Sequence, residues 1–309
     1  MLRFVPLAAS VVVSAAAYGV ATLAAPVAAP VALLTPLPGL LLGARGWRGE
    51  CLLWWVGTAI VLAATGGPEV GLGFALLFGC PTVALAEAQA ARWRVESAVL
   101  VGLITGCMAF AALALFAHGD LPSLVAAAHE QVAHAVDAFV KNPRVTDGTG
   151  APLDVDPQVL VGAIIQVLPA LLVLSGGAVL LINVLLIRAW MPEVDQQDLR
   201  RWRAPDGLMW ALIASGFGMF APYHGAALVA TNLFIVLLGC YFCQGLAIVA
   251  YYLTRYRVPR GLRIATYALV VLQHVVAAVV LLLGVFDLWA DFRRVTTTPA
   301  DMQFHPDRE

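Results

Sequence analysis

Apolar runs long enough to cross a lipid bilayer recur along almost the whole chain. A hydrocarbon core about 30 Å thick requires roughly 20 apolar residues in a helix, and open backbone structures are too costly there because water is absent. The runs are residues 4–25, 27–43, 51–66, 70–87, 96–117, 158–188, 207–221, 226–252 and 262–287. We predict an all-α transmembrane helix bundle of about nine spans, or about eight if the short run 207–221 is re-entrant.

The composition supports a membrane protein and excludes several other classes. The chain is 61% hydrophobic and 12% charged, whereas soluble domains are about 45–50% apolar and about 25% charged. Its net charge of -1 gives no basic surface for nucleic-acid phosphates, so nucleic acid is not an expected partner. The cysteines all lie inside apolar runs and do not form a disulfide framework; they are Cys51, Cys80, Cys107, Cys240 and Cys243.

The arginines predict the orientation, because Lys and Arg accumulate in short cytoplasmic loops. With a cytoplasmic N-terminus, the arginines of segments 45–48, 92–94, 188–203 and 255–263 all fall on the cytoplasmic side. The outer turns near Glu69 and Tyr223 carry no Lys or Arg. We therefore keep 207–221 as a span and predict a multi-pass protein of a bacterial inner membrane.

Residues 1–290 are predicted to form a single transmembrane domain, followed by a polar tail over 291–309. The first run also resembles a signal peptide, since Arg3 precedes it and Ala24-Ala25-Pro26 follows it. It is longer than the usual apolar core of such a peptide, so we predict that the helix is retained.

Residues 118–157 form a long polar insertion that is predicted to be extracytoplasmic. Its first half is amphipathic at helical spacing, with Leu121, Leu124, Val125, Ala128, Val132, Val136 and Phe139 on one face and Glu130, His134, Asp137 and Lys141 on the other. Such a helix lies on the outer membrane surface or caps the bundle. Residues 142–157 are rich in turn formers and predict a loop.

Two patterns suggest enzyme chemistry but fit packing better. A zinc-protease helix requires histidines four apart, whereas His129 and His134 are five apart and diverge around the helix. Cys240 and Cys243 have apolar neighbours, while reactive thiols lie in electropositive surroundings. The chain also contains no phosphate-binding P-loop motif. We therefore expect no catalytic residue, no metal, no cofactor and no ATPase activity of its own.

Polar side chains inside apolar helices are expensive in lipid and often mark a pathway or site. Gln166, Asn232 and His274 are such residues, with Gln273 beside His274 and Tyr18 in the first helix. Apolar segments interrupted by Gly or Pro are a second transporter signal. The two that fit are the second run, with Pro30, Pro36, Pro38 and Gly39, and the seventh, with Gly216, Gly218 and the segment 222–225. We hypothesise an outward-facing solute cavity at Gln166, Tyr223, Asn232 and His274; interhelical hydrogen bonds are the alternative.

Two further segments favour packing roles. The small residues Ala17, Ala21 and Ala25 are spaced by four and form a smooth ridge on which a partner helix could dock. Near the end, Asp287 and Trp289 are typical of an interfacial anchor, and Asp291 with Arg294 predicts a weak i,i+3 ion pair.

The overall pattern resembles the YybS-like family, bacterial membrane proteins that contain a domain of unknown function. The residues that carry the resemblance are the Pro-Leu-Pro-Gly of 36–39, the Phe-Cys-Gln-Gly-Leu-Ala of 242–247 and the ending 284–294. That family is remotely similar to the substrate-binding subunits of energy-coupling-factor transporters and to the cell-shape protein MreD. The resemblance implies that Ala17, Ala21 and Ala25 would dock a coupling partner. The transporter subunits usually have fewer spans, so the docking geometry does not carry over directly.

Two functional hypotheses follow. The first is a non-enzymatic, transporter-like component that binds a small solute and receives energy from other proteins. The second is a membrane scaffold for envelope or cell-shape processes, in which the polar groups only hold helices together and other membrane proteins are the partners. A solute-dependent change in stability would favour the first, and stable co-purifying proteins would favour the second.

Overall fold

A computed structural model describes residues 4–23, 31, 33–141, 156–191, 198–290 and 292–293, and within these ranges the regular structure is helical with no strand. The chain divides into two compact units, residues 1–197 and 198–309. The helices of the first unit are α1 (Phe4–Leu23), α2 (Leu37–Ala44), α3 (Arg48–Gly66), α4 (Pro68–Ala90), α5 (Val95–His118), α6 (Leu121–Val140) and α7 (Pro157–Trp190). Those of the second are α8 (Gly207–Gly218), α9 (His224–Arg255), α10 (Arg260–Leu272) and α11 (His274–Ala290).

Five helices among the described residues are long and apolar enough to cross a membrane, namely α3, α4, α5, α7 and α9. The bent pair α10 and α11 would add one more if it formed a single span. Shorter apolar helices occur at Val5–Val20 and Gly207–Gly218. The membrane helix bundle is therefore confirmed, whereas the count of about nine spans and the cytoplasmic N-terminus stay predictions.

In the first unit, α3 packs against α1 and α4, and α4 packs against α5. The short helix α2 contacts α1, α3, α4 and α7, so it lies at the centre of the unit. Trp54 of α3, Phe74 of α4 and Leu40 of α2 are each 0% exposed. Large side chains from three helices thus form the core around α2.

The second predicted helix, 27–43, is interrupted within its described residues, while residues 27–30 and 32 lie outside them. The structure has a turn over 33–36 before α2 begins at Leu37. Pro36 and Pro38 explain the interruption, since proline lacks a backbone N–H and disfavours helical geometry in the residue before it. The sequence signal for a broken helix at this position is confirmed.

The amphipathic helix of the insertion forms as predicted, over Leu121–Val140. Asp120 begins it by accepting a 2.8 Å hydrogen bond from the Ser123 backbone N–H. The helix packs against α5 and α7, and Val136 is 3% exposed, while Leu121 and Phe139 remain exposed. Residues 142–155, most of the predicted loop, lie outside the described residues.

In the second unit, α8 and α9 form a helical hairpin closed by a short turn before Tyr223. Met209 and Leu212 of α8 pack against Leu237 and Tyr241 of α9. This apolar cluster, together with the contact of Gly218 with Ala230, fixes α8 along the N-terminal half and the middle of α9.

The predicted single helix 262–287 is wrong. The segment breaks at Gln273, where the backbone is extended, and α10 and α11 are bent by 99°. The helix α11 then runs in the same direction as α9, because Gly284 lies beside Tyr241 and Phe292 lies beside Tyr252. The pair α10–α11 therefore starts just after α9 ends and returns to that same end.

Two glycines allow α9 and α11 to cross in close contact. A Cβ atom on Gly245 would collide with the carbonyl oxygen of Val280, and one on Gly284 with the carbonyl oxygen of Tyr241. Small residues at a helix crossing let the two backbones approach, which increases van der Waals contact in lipid. Both glycines belong to the motifs that carried the family resemblance.

Candidate functional site

The first unit contains a buried polar site around the turn at 33–36 that interrupts the chain before α2. The Ser14 hydroxyl of α1 donates to the carbonyl oxygen of Thr35 at 3.0 Å. The indole N–H of Trp54 donates to the same hydroxyl at 3.0 Å. Ser14, Thr35 and Trp54 are each 0% exposed, so this chain of hydrogen bonds is fully shielded from solvent.

A third helix binds the same turn. The side-chain amide of Asn183 in α7 donates to the Leu33 carbonyl at 2.7 Å and to the Val179 carbonyl at 2.7 Å. The carbonyl groups of Leu33 and Thr35 lie in the turn that interrupts the helix. They accept hydrogen bonds from Asn183 of α7 and Ser14 of α1, respectively. We name the set Ser14, Thr35, Trp54, Thr58 and Asn183 the turn site.

Three oxygen atoms of the turn site are buried and have no hydrogen-bond partner among the described residues. They are the hydroxyl oxygens of Thr35 and Thr58 and the side-chain carbonyl oxygen of Asn183. Thr58 lies one turn after Trp54 on α3, and both threonines and Asn183 are 0% exposed. A buried polar group without a partner costs about 1–3 kcal/mol. These three oxygens are therefore the unsatisfied hydrogen-bonding groups of the turn site.

A π-helical segment, Ala75–Gly79, lies within α4 in the same unit. Its Ala75 carbonyl accepts a 3.0 Å hydrogen bond from the Trp55 indole. The Tyr18 ring contacts Phe74 and Phe78 edge-on, with ring centroids 5.6 Å and 5.5 Å away. π-Helical segments are rare and occur often near functional sites. Here the segment contributes Phe78, one of the two aromatic rings that contact Tyr18.

The second unit contains a buried ion pair. Arg293 donates to Asp287 at 2.6 Å, and the two side chains are 0% and 1% exposed. The Gln244 amide of α9 donates to the same carboxylate oxygen at 3.0 Å, while the other carboxylate oxygen accepts from the Phe292 backbone N–H at 3.1 Å. We name Gln244, Asp287 and Arg293 the clasp.

The clasp also binds the segment that precedes α8. A second nitrogen of Arg293 donates to the carbonyls of Arg200 and Trp202 at 2.8 Å and 2.9 Å. The Gln244 side-chain oxygen accepts from the Ala204 backbone N–H at 3.0 Å. Four parts of the second unit are thereby joined: the segment 200–204, α9, α11 and the residues just after α11.

None of the four predicted solute ligands is a member of the turn site or of the clasp. Gln166 is an exposed residue of α7 in the first unit. In the second unit, Tyr223 is 77% exposed at the start of α9, and His274 is exposed at the start of α11. Asn232 donates to the Leu228 carbonyl of its own helix at 2.9 Å. Their role in binding stays a prediction.

The other predicted groups have mixed outcomes. Asp287 is not an exposed anchor, because it is buried against Arg293, whereas Trp289 is 64% exposed. Ala17 is half-buried, Ala21 lies within α1, and Ala25 lies outside the described residues, as do Asp291 and Arg294.

Sequence reasoning missed the polar residues of the turn site, and of the clasp it singled out only Asp287, as an interfacial anchor. Asn183 and Gln244 interrupt apolar runs in the same way as Gln166 and Asn232, so the rule on polar groups in membrane helices could have found them. Arg293 carried no signal, because it follows the last apolar run as one of several polar residues. Thr35 and Thr58 are too common in such helices to be singled out.

Comparison with known proteins identifies a family and no individual relative. No curated protein and no solved structure matches the chain significantly. The remoter similarity to energy-coupling-factor transporter subunits and to MreD therefore stays a prediction. A family model described as a predicted membrane protein matches residues 13–288, which is most of the chain. The protein thus belongs to the DUF2232 family of predicted membrane proteins, whose function is unknown.

Proposed function

We propose that this protein is a transporter-like membrane component that binds a small polar solute at the turn site and receives energy from other proteins. The supporting observation is a set of three buried oxygens, on Thr35, Thr58 and Asn183, that have no hydrogen-bond partner within the part of the chain that the structure describes. Thr35 lies in the turn that breaks the helix and Asn183 binds that turn, and broken helices are where many transporters build their binding sites.

The chemistry of the turn site restricts the solute. The unpartnered atoms are all oxygens, and Ser14, Thr35, Thr58 and Asn183 are uncharged. The Asn183 oxygen accepts hydrogen bonds or coordinates a cation, whereas each threonine hydroxyl can donate as well as accept, and an anion would meet no positive side chain in this set. The preferred solute is therefore an uncharged molecule that forms hydrogen bonds, or a small monovalent cation.

Thr58→Val tests this proposal with little change in shape. The substitution removes an unpartnered buried hydroxyl, so the free energy of unfolding should stay the same or rise by about 1 kcal/mol. Solute binding should be lost, because an acceptor of the site is gone. The measurement is the solute-dependent shift in melting temperature of the purified chain, using sodium ions, primary amines, neutral amino acids and sugars as probes.

Thr65→Val is the matched control. It removes a threonine hydroxyl from the same helix α3, but that hydroxyl is already bonded to the Val61 carbonyl at 2.8 Å and lies outside the turn site. We expect the solute-dependent shift to persist in this variant. The proposal would be contradicted if no probe shifted the melting temperature of the wild-type protein. It would also be contradicted if the melting temperature of Thr58→Val responded to a probe as the wild type does.

Solute binding by the four residues predicted from sequence is a separate proposal. Asn232→Leu and His274→Leu should reduce uptake or binding without lowering the amount of protein in the membrane. Unchanged activity in both variants would contradict this separate proposal and leave the proposal for the turn site untouched.

A scaffold role is the second candidate, and the helix α10 favours it. Three apolar side chains of α10 are largely exposed: Leu262 by 60%, Ile264 by 70% and Val271 by 84%. The helix break at Gln273 follows them, and backbone N–H and C=O groups without partners at such a break are costly in lipid. A partner protein on α10, or on the Ala17 side of α1, would cover such surface. This role predicts stable co-purifying membrane proteins and no response to any solute in the thermal assay.

A further inference from the structure

Two adjoining cavities lie at the C-terminal end of α9, and both are lined by Tyr252, Tyr256 and Phe292. The first has a volume of about 240 Å³ and is otherwise walled by aliphatic side chains, among them Ile248, Val258 and Leu283. It is an apolar slot between α9 and α11 that could accept a hydrocarbon chain.

The second cavity is polar. Its volume is about 360 Å³, and it adds the exposed Arg255 to the three shared aromatic residues. The Arg255 guanidinium lies 3.4 Å from the Tyr251 hydroxyl. A guanidinium beside a tyrosine hydroxyl is suited to a phosphate, which Arg binds through several N–H donors.

The stretch of chain that contains α9 and α10 has arginines as its only charged side chains. Arg257, Arg260 and Arg263 follow Arg255 closely, and residues 207–286 contain no Asp or Glu. The carboxylates on either side of this stretch are Asp206, which is 3.8 Å from Arg203, and Asp287, which is bonded to Arg293. The positive charge at the end of α9 thus has no acidic counterpart along this part of the chain, which favours an anionic ligand.

The wall between the two cavities is held in place. The Tyr252 hydroxyl donates to the Phe292 carbonyl at 2.7 Å, and the rings of Tyr252 and Tyr256 stack with centroids 6.0 Å apart. Aromatic residues of this kind settle at the headgroup level of a bilayer. An apolar slot therefore adjoins a cavity that contains a guanidinium, in the same order as the acyl chain and the headgroup of a phospholipid.

We propose that these cavities bind an anionic phospholipid on the arginine side of the membrane, with the phosphate at Arg255 and Tyr256 and an acyl chain along Ile248 and Leu283. A soluble phosphate would leave the apolar slot unused, whereas a lipid occupies both cavities. Basic pockets between transmembrane helices are common sites for anionic headgroups. The site is independent of the turn site and of any solute.

The test is the melting temperature of the full-length chain in a neutral detergent with added lipid. Phosphatidylglycerol should raise the melting temperature by several degrees, while phosphatidylcholine and glycerol 3-phosphate should not. Arg255→Gln should lose more than half of the phosphatidylglycerol shift, whereas Arg255→Lys should keep a larger part of it.

Arg201→Gln is the matched control, because it removes one exposed arginine from the same end of the second unit without touching either cavity. It should retain the full shift. Leu283→Trp fills the apolar slot and should weaken the response even if Arg255→Gln proves unstable. Equal shifts with phosphatidylglycerol and phosphatidylcholine would overturn the proposal, as would a response to glycerol 3-phosphate or equal losses in Arg201→Gln and Arg255→Gln.

Discussion

A peptide tag fused after Glu309 is expected to show the same sidedness as a tag inserted after Gln197, and the opposite sidedness to a tag inserted after Tyr223. The reason is that α10 and α11 leave and return at one end of α9. Val258, before α10, and Phe292, after α11, line the same cavity. Arg293 is bonded to the carbonyls of Arg200 and Trp202 at that end.

The measurement is antibody access to each tag in intact and in permeabilised spheroplasts. If the arginine-rich end faces the cytoplasm, the tags at Gln197 and Glu309 should react only after permeabilisation. The tag at Tyr223 should react in both cases. A continuous ninth span would instead make the Glu309 tag behave like the Tyr223 tag, and that result would refute the re-entrant arrangement of α10 and α11.

Asp287→Ala is expected to reduce the free energy of unfolding by about 3–5 kcal/mol, because it leaves the buried Arg293 without a counter-charge. The Gln244 amide would lose its acceptor as well, since its 3.0 Å hydrogen bond ends on the Asp287 carboxylate. The expected result is a large fall in melting temperature of the purified chain and in its amount in the membrane.

Asp206→Ala is the matched control, because Asp206 is 80% exposed and only 3.8 Å from Arg203 in a surface ion pair. Its loss should change stability little, since exposed pairs contribute about 0–1 kcal/mol. The double variant Asp287→Leu with Arg293→Met should recover part of the loss, since no buried charge remains. A melting temperature of Asp287→Ala equal to that of Asp206→Ala would show that the clasp does not hold the unit together.

The broken second helix shows how far local sequence can predict a site. Pro36 and Pro38 act on their own backbone and on the residue before each, so the interruption was readable from the chain alone. The partners of the turn were not, because Asn183 reaches the Leu33 carbonyl across 150 residues of sequence. Nothing local to either residue encodes that pairing.

The break at Gln273 shows the opposite case. Residues 270–276 contain no Gly or Pro, and the run 262–287 therefore predicted one continuous helix. In the structure, the Gly245–Gly284 crossing and the hydrogen bond between Gln244 and Asp287 hold α11 along α9. The polypeptide accommodates this docking by extending its backbone at Gln273.

The sequence by itself determined that the chain belongs in a lipid bilayer and where most of its helices lie, because hydropathy and helical periodicity are properties of neighbouring residues. It also determined which of the segments between apolar runs carry the arginines, and it indicated where the predicted helix 27–43 is interrupted. Only the tertiary structure decided which polar residues are buried together and on which end of α9 the helix α11 finishes. These features depend on contacts between distant segments, such as Arg293 with Arg200 across 93 residues, and a window of adjacent residues carries no information about them.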